Sequence, residues 1–190
     1  MSGYIYIAGS FKTLDPTSLG DIDNDPHFWD APPTWGICRP DLRAGAKVGD
    51  VVFFVLPKAS GLPQTIFAYL KIAEIITHAQ AYTRHDLQRK RMGDKKPNGN
   101  IIVNASGEYE TFDEWVHEGN VERIKPRYAV GSVAESRMLS LKEVQRLAPQ
   151  FVSHVGKILH SEGTTPIDIV SKKGKKLNEQ QVQELLAWLK

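Results

Sequence analysis

The fold is decided by one stretch of the sequence, Trp35-Gly-Ile-Cys-Arg-Pro-Asp-Leu-Arg-Ala-Gly-Ala-Lys-Val-Gly-Asp-Val-Val-Phe-Phe-Val55. Its second half is a Gly49-Asp50 turn that opens into an almost wholly apolar run, Val51–Leu56. An apolar run bounded by turn residues and rich in Val and Phe predicts a strand that is buried on both faces. The first half places an aromatic ring, a cysteine and two arginines directly before that strand. Loops held by a rigid strand often bind ligands, so this half is a candidate for function.

Further strands are predicted on both sides of this one. Tyr4–Ala8 is aromatic and β-branched and predicts the first strand. Thr65–Thr77 alternates over its inner part and predicts a long strand that pairs antiparallel with Val51–Leu56; a helix of this composition is the less favoured alternative. Ile101–Asn104 and Tyr128–Gly131 predict two short strands.

Helices are predicted mainly in the last third of the chain. Ser140-Leu-Lys-Glu143 has the capping-box pattern and predicts a helix that ends before Pro149, and Asn178 begins the last helix. Shorter helices are predicted at Pro40–Ala46, Tyr82–Arg91 and Thr111–His117. Because predicted strands dominate the first two-thirds of the chain and predicted helices the last third, the sequence indicates an α+β protein.

The composition limits the class of protein but does not indicate a binding partner. The 190 residues hold 24 Lys and Arg against 22 Asp and Glu, a balance that neither requires nor excludes nucleic acid. Cys38 is the only cysteine, which suits a reducing compartment. The start of the chain lacks the pattern of a signal peptide, and no apolar run approaches the ~18 residues of a membrane span. We therefore expect a cytoplasmic protein with no membrane partner; its oligomeric state stays open.

The sequence lacks the common motifs of enzymes and metal sites. There is no phosphate-binding loop, dinucleotide fingerprint, serine elbow or zinc-protease motif, and the six histidines have no ligand spacing. Asp21-Ile-Asp-Asn-Asp25 suggests a calcium loop, but Pro26 stands where that loop needs glycine. No cofactor and no metal are expected.

Aromatic and basic residues give the positive signals. Residues 10–34 predict a long loop, and loops of that length are often functional. Four aromatic residues could sandwich a base, or could simply cap the core: Phe11, Phe28, Trp29 and Trp35. Phosphate contacts, or only a solvated helix face, are predicted for six cations between residues 84 and 96: Arg84, Arg89, Lys90, Arg91, Lys95 and Lys96.

One family shares the pattern of residues 38–50, Cys38-Arg-Pro-x-Leu-Arg-x-x-Ala-Lys-Val-Gly-Asp50, set between a Tyr-x-Tyr strand and two further strands. In this pattern the chain resembles the nucleotide modification associated domain type 2 proteins, whose motif is Cys-Lys-Pro-x-Ile-Arg-x-x-Ala-x-x-Gly-Asp. More broadly, it is similar to the EVE, ASCH and YTH group of PUA-like barrels. The resemblance covers roughly residues 3–137. Arg39 replaces the lysine of the motif, and the loop 10–34 lacks the family's Phe-rich pattern.

The resemblance implies a PUA-like β-barrel at residues 1–137, with 138–190 as a helical C-terminal extension packed on it. It also implies a module that binds nucleic acid, DNA or RNA, and recognises a modified base in an aromatic pocket. Carried over by position, it puts the pocket at Ser10, Trp35, Gly36, Ile37 and Cys38, with Arg39 and Arg43 beside it. The predicted site is completed by the aromatic residues Phe11 and Trp29 and the basic residues Arg84, Arg89, Lys90 and Arg91.

Two other classes of function stay open. An enzyme of nucleotide modification could use Cys38, where Arg39 and Arg43 favour a thiolate, or a carboxylate such as Asp50. A buried thiol and a turn residue are the favoured interpretations of these two side chains. A protein-interaction module could present the aromatic residues to a partner chain. Enzyme activity is the less expected outcome.

Overall fold

The computed structural model describes residues 2–9, 25–37, 39–58, 61–92, 99–110 and 117–190. They fall into two compact units. Unit 1 comprises the described parts of Met1–Ile22, Gly49–Lys71 and Ser136–Lys190, and unit 2 those of Asp23–Val48 and Ile72–Glu135. The C-terminal segment therefore groups with the first strand and the buried strand, and the units divide the chain elsewhere than at the predicted boundary between residues 137 and 138.

Seven strands lie in the described residues: β1 (Gly3–Ile7), β2 (Thr34–Trp35), β3 (Val51–Val55), β4 (Ile66–Ile76), β5 (Tyr128–Gly131), β6 (Arg137–Met138) and β7 (Lys175–Leu177). Their order is β2-β5-β4-β3-β1-β7, and β6 pairs with β4. Only β1 and β3 are parallel, so the sheet is mixed.

The helices are α1 (Pro40–Gly45), α2 (His78–Thr83), α3 (Val121–Ile124), α4 (Leu141–Leu147), α5 (Phe151–Leu159), α6 (Pro166–Val170) and α7 (Glu179–Trp188). The predicted α+β class is confirmed. The predicted closed barrel is not found among the described strands, because β2 and β7 stand at opposite ends of the order and do not pair. Closure of a barrel requires its end strands to share hydrogen bonds.

Unit 1 contains the predicted buried strand. All five residues of β3 are buried, and the strand is central in the sheet, with β1 parallel on one side and the first half of β4 antiparallel on the other. The predicted long strand and its antiparallel pairing are therefore confirmed. Asp50 precedes β3 as a buried turn residue, and its carboxylate accepts hydrogen bonds from the backbone N–H (3.2 Å) and hydroxyl (2.7 Å) of Ser2.

Two helices of unit 1, α4 and α7, begin where the capping residues in the sequence predict. Ser140 caps α4 with Glu143 as the reciprocal partner, and the helix ends before Pro149. Asn178 caps α7 in the same way, and Val182, Leu185 and Leu189 of this helix are buried. The sequence did not predict α5, α6 or β7.

In unit 2 the second half of β4 pairs with β5, and β5 pairs with β2. The predicted strand Tyr128–Gly131 is confirmed as β5, and Pro40 starts α1 as expected. A single helix at Tyr82–Arg91 is wrong: α2 ends at Thr83, and a 3-10 helix, His85–Lys90, follows.

Some predictions fall outside the described residues. They concern most of the loop 10–34 and most of the helix Thr111–His117. Across the portions that are described, no helix is both long and apolar enough to cross a membrane.

Candidate nucleic-acid interface

A buried carboxylate organises the loop that leads into α1. Asp25 accepts hydrogen bonds from the backbone N–H groups of Gly36 (2.6 Å) and Ile37 (2.9 Å). The side-chain amide of Asn100 donates a third bond at 3.3 Å. Buried backbone donors need such partners, so Asp25 holds residues 36 and 37 in place.

Further buried polar groups extend this network. Asn100 bonds to the hydroxyls of Thr34 (3.0 Å) and Tyr128 (2.6 Å), and burial raises the pKa of Tyr128 well above its ordinary value. The backbone N–H of Ile102 donates to Nδ1 of His78 at 3.3 Å, so Nε2 carries the proton and donates to the carbonyl of Gly36 at 3.0 Å. These groups bond to one another inside unit 2, which indicates a structural role.

Three predicted pocket residues, Trp35, Gly36 and Ile37, lie together in this region but in the interior. The ring of Trp35 is 0% exposed, and the guanidinium of the buried Arg43 lies 5.7 Å from its centre. Ile37 belongs to the apolar core of unit 2. A base cannot stack on a ring that has no exposed face, so in this structure these residues do not form an open pocket.

The other residues predicted around that pocket are only partly described. Ser10, Phe11 and Cys38 lie outside the described residues. Arg39 is half-buried at the N-terminus of α1 and has a left-handed backbone conformation, with φ 59°. Their proposed contacts with a base or phosphate stay predictions.

Trp29 is the predicted aromatic residue that reaches the surface. Backbone hydrogen bonds of 2.9 Å in both directions join His27 to Thr34, so residues 28–33 form a hairpin-like tip. Trp29 lies in this tip and is 36% exposed. An exposed large aromatic ring is available for contact with a ligand, whereas a core ring is not.

Asp30, the next residue, joins this tip to the predicted basic span. Its carboxylate lies 3.2 Å from the guanidinium of Arg89, and its carbonyl accepts a 2.6 Å hydrogen bond from the buried Lys90. The other carboxylate oxygen is 3.4 Å from Nε2 of His27. Trp29 is therefore the chain neighbour of a residue that bonds to Arg89, 60 residues further along the sequence.

The basic span itself divides into structural and exposed residues. Arg84 bonds to Glu74 (2.9 Å) and Asp86 (2.6 Å), and its hydrogen bond lowers the pKa of Asp86. The guanidinium of Arg91 lies over the ring of Tyr82 at 4.2 Å. Arg89 differs, because its side chain is 80% exposed even though it contacts Asp30. Of the four described cations in the span, Arg89 is the best placed to meet a phosphate.

No family model, curated protein or solved structure matched this chain in three comparisons. The resemblance of residues 38–50 to a known family therefore stays a hypothesis. Metal chemistry finds no support in the described residues either, since they contain no group of three or more side chains that could hold an ion.

Unit 1 contains a separate open cavity of about 410 Å³. Most of its lining is apolar, and it has two amide side chains but no titratable group: Pro63, Gln64, Gln145, Ala148, Pro149, Val152 and Pro166. Such a lining offers no acid, base or nucleophile.

Sequence reasoning missed the roles of Asp25 and Asn100. Asp25 lies among other acidic residues and has the pattern of a solvated loop, and nothing in its spacing connects it with Gly36. A buried partner 75 residues away in sequence, such as Asn100, leaves no local pattern from which it could be found.

Proposed function

We propose that this protein is a nucleic-acid-binding module that recognises a modified base. One observation carries the proposal: the exposed Trp29 is the chain neighbour of Asp30, whose carboxylate holds the exposed guanidinium of Arg89 at 3.2 Å. An aromatic platform beside a cation is the usual combination in proteins that bind single-stranded nucleic acid.

Each of the two side chains has a distinct task. The indole ring stacks on an unpaired base, a contact worth ~1–3 kcal/mol. The guanidinium of Arg89 contacts the phosphate backbone, which contributes affinity that depends on salt but not on sequence. The anchoring bonds of Asp30 to His27, Arg89 and Lys90 reduce the entropy lost on binding.

Recognition of a modification rests on the resemblance, and several features of the fold support it. The Gly49-Asp50 turn precedes the buried β3, β4 follows antiparallel, and the protein is α+β. We propose the PUA-like class on this basis, with a sheet that stays open among the described strands where that class closes a barrel. In that class a modified base enters a pocket near the first strand, so the proposal keeps Ser10, Phe11 and Cys38 as pocket residues expected from the resemblance.

The test compares oligonucleotides that are identical except for one methylated base. Fluorescence anisotropy measures the affinity of the wild type and of Trp29→Ala for each of them. Loss of one stacked base predicts binding that is about 5- to 150-fold weaker for Trp29→Ala. Trp29→Phe, which keeps an aromatic face, is expected to recover part of the affinity.

Val133→Ala is the matched control, because Val133 is an exposed apolar residue of the same unit, 64% exposed, outside the residue 28–33 tip. It is expected to bind like the wild type. Equal affinity for methylated and unmethylated oligonucleotides in the wild type would contradict modified-base recognition. Unchanged binding by Trp29→Ala would contradict the platform.

A further inference from the structure

The C-terminal part of unit 1 carries a local excess of positive charge. Residues 136–190 hold nine Lys and Arg against five Asp and Glu. Two of the five acids cap helices: Glu143 accepts from Ser140, and Asp168 accepts from Thr164 and Thr165.

Many of the cations have no acidic partner. Within the described chain, six exposed cations of this segment form no ion pair: Lys142, Arg146, Lys157, Lys172, Lys176 and Lys190. In unit 2, by contrast, Arg84, Arg89 and Arg123 contact carboxylates. Cations without acidic partners keep their attraction for an external anion.

A tight turn presents one of these lysines, Lys172, next to the exposed Lys173. The N–H of Gly174 donates to the carbonyl of Ser171 at 3.2 Å, and the N–H of Lys173 donates to the Ser171 hydroxyl at 3.3 Å. Lys172 and Lys173 are the exposed residues at the tip. Ser171 has φ 71° and ψ 152°, a backbone conformation that residues other than glycine rarely adopt, so the turn is held in a specific shape.

A further contact joins this turn to the end of α5. The ammonium group of Lys175 contacts the hydroxyl of Ser161, whose backbone N–H bonds to the carbonyl of Gly156 at 2.9 Å. Lys157 lies in the last turn of α5, four residues before Ser161. We call Lys157, Lys172, Lys173 and Lys175 the lysine cluster.

We infer that the lysine cluster binds the phosphate backbone of nucleic acid, as a second contact surface on unit 1. The kind of partner rests on the proposed function, and the chemistry of the surface agrees with it. Lysines contact phosphates as point charges and do not need a shaped pocket. Stable membrane attachment needs an apolar insertion besides basic residues, and Ile167 is the one large exposed apolar residue described in unit 1.

The inference adds this surface to the phosphate contacts that the sequence predicts. Within the span 84–96 the described cations Arg84, Lys90 and Arg91 are used inside unit 2. We expect Arg89 to act beside the stacked base and the lysine cluster to supply most of the affinity that depends on salt.

The experiment measures binding of an unmodified single-stranded oligonucleotide to the full chain by fluorescence anisotropy, over a range of salt concentrations. Lys172→Gln/Lys173→Gln removes two charges from the cluster. Loss of two phosphate contacts predicts roughly tenfold weaker binding and a salt slope smaller by about 1.4. Lys172→Arg/Lys173→Arg keeps the charge and should restore most of the affinity.

The matched control is Lys142→Gln/Arg146→Gln, which removes the same charge from α4 of the same unit. It is expected to weaken binding less than about twofold, because Lys142 and Arg146 belong to α4 and not to the lysine cluster. Equal weakening by both pairs, or no weakening by the cluster pair, would overturn the inference. Capture by phosphatidylserine vesicles that depends on Lys172 and Lys173, with oligonucleotide binding unchanged, would also overturn it.

These results are separable from those of the proposed function. Trp29→Ala tests the base, whereas the lysine pair tests the backbone on unmodified nucleic acid. Loss of affinity in the lysine pair without any preference for a methylated base supports the lysine cluster and contradicts base recognition. The reverse result contradicts the lysine cluster alone.

Discussion

At the scale of single residues, Gly36 is fixed by how closely two other residues approach it. A methyl group added at this position would lie 2.5 Å from the carbonyl oxygen of Asn100 and 2.7 Å from the ring of Tyr128. Both neighbours belong to the buried network of Asp25, so neither can move freely. Gly36 is therefore needed because only glycine lets the backbone at this position approach the backbone of Asn100 so closely.

Gly36→Ala is expected to lower the free energy of unfolding by roughly 1–3 kcal/mol, because overpacking a buried site displaces the groups around it. Denaturation in urea, followed by circular dichroism, measures the change. Gly119→Ala is the control, since a methyl group there meets nothing within 4 Å, and its effect should stay within about 0.5 kcal/mol. Equal stability of the two variants would show that the network does not constrain Gly36.

Single residues also show why residues with the same sequence signal have different surroundings in the structure. Trp29 and Trp35 have the same sequence signal, an aromatic ring in a long loop, yet the first is exposed and the second is fully buried. Lys90 sits in a basic run that predicts a solvated or phosphate-binding face, but it is buried against the carbonyl of Asp30. Contacts between residues distant in the chain decide these outcomes, and local patterns do not record them.

At the scale of elements, the start of α4 contains a cap that depends on pH. The Glu143 carboxylate accepts hydrogen bonds from the backbone N–H and from the hydroxyl of Ser140. These bonds, the backbone bond most of all, lower the pKa of Glu143 below the ordinary 4.5, although partial burial opposes the shift. Because the pKa is lower in the folded state, the stabilisation is fully present above pH 4.5. It is lost as the pH falls through the folded pKa.

Ser140→Ala is expected to cost about 1 kcal/mol of unfolding free energy at neutral pH. The difference from the wild type should shrink below pH 4.5, as the carboxylate becomes protonated in both proteins. Chemical denaturation at several pH values measures it. Ser153→Ala, whose hydroxyl donates to the carbonyl of Gln150, is the control. A cost that is constant across that pH range would argue against the Glu143 contact.

Elements with strong local signals could be predicted. β3 and β4 have continuous or alternating apolar patterns, and the caps at Ser140 and Asn178 mark the starts of α4 and α7. β7 has only three residues, two of them lysines, and forms because β1 offers a free edge. Such a strand depends on its partner, so its own sequence cannot reveal it.

At the scale of the whole molecule, the α+β class could be read from the sequence, whereas the open strand order could not. Barrel closure depends on whether the end strands pair, and β2 and β7 are too short to leave a sequence signal. The sequence also could not predict that residues 136–190 group with β1 and β3. That grouping depends on pairs such as Gly3 and Leu177, which are distant in the chain.

The central claim is that an unpaired base stacks on Trp29. The most direct test is a thermodynamic cycle, in which the wild type and Trp29→Ala each bind a methylated oligonucleotide and its counterpart lacking that one base. The account predicts that Trp29→Ala weakens binding of the intact oligonucleotide about 5- to 150-fold and leaves binding of the abasic one nearly unchanged. An equal loss with both oligonucleotides, or none with either, would contradict it.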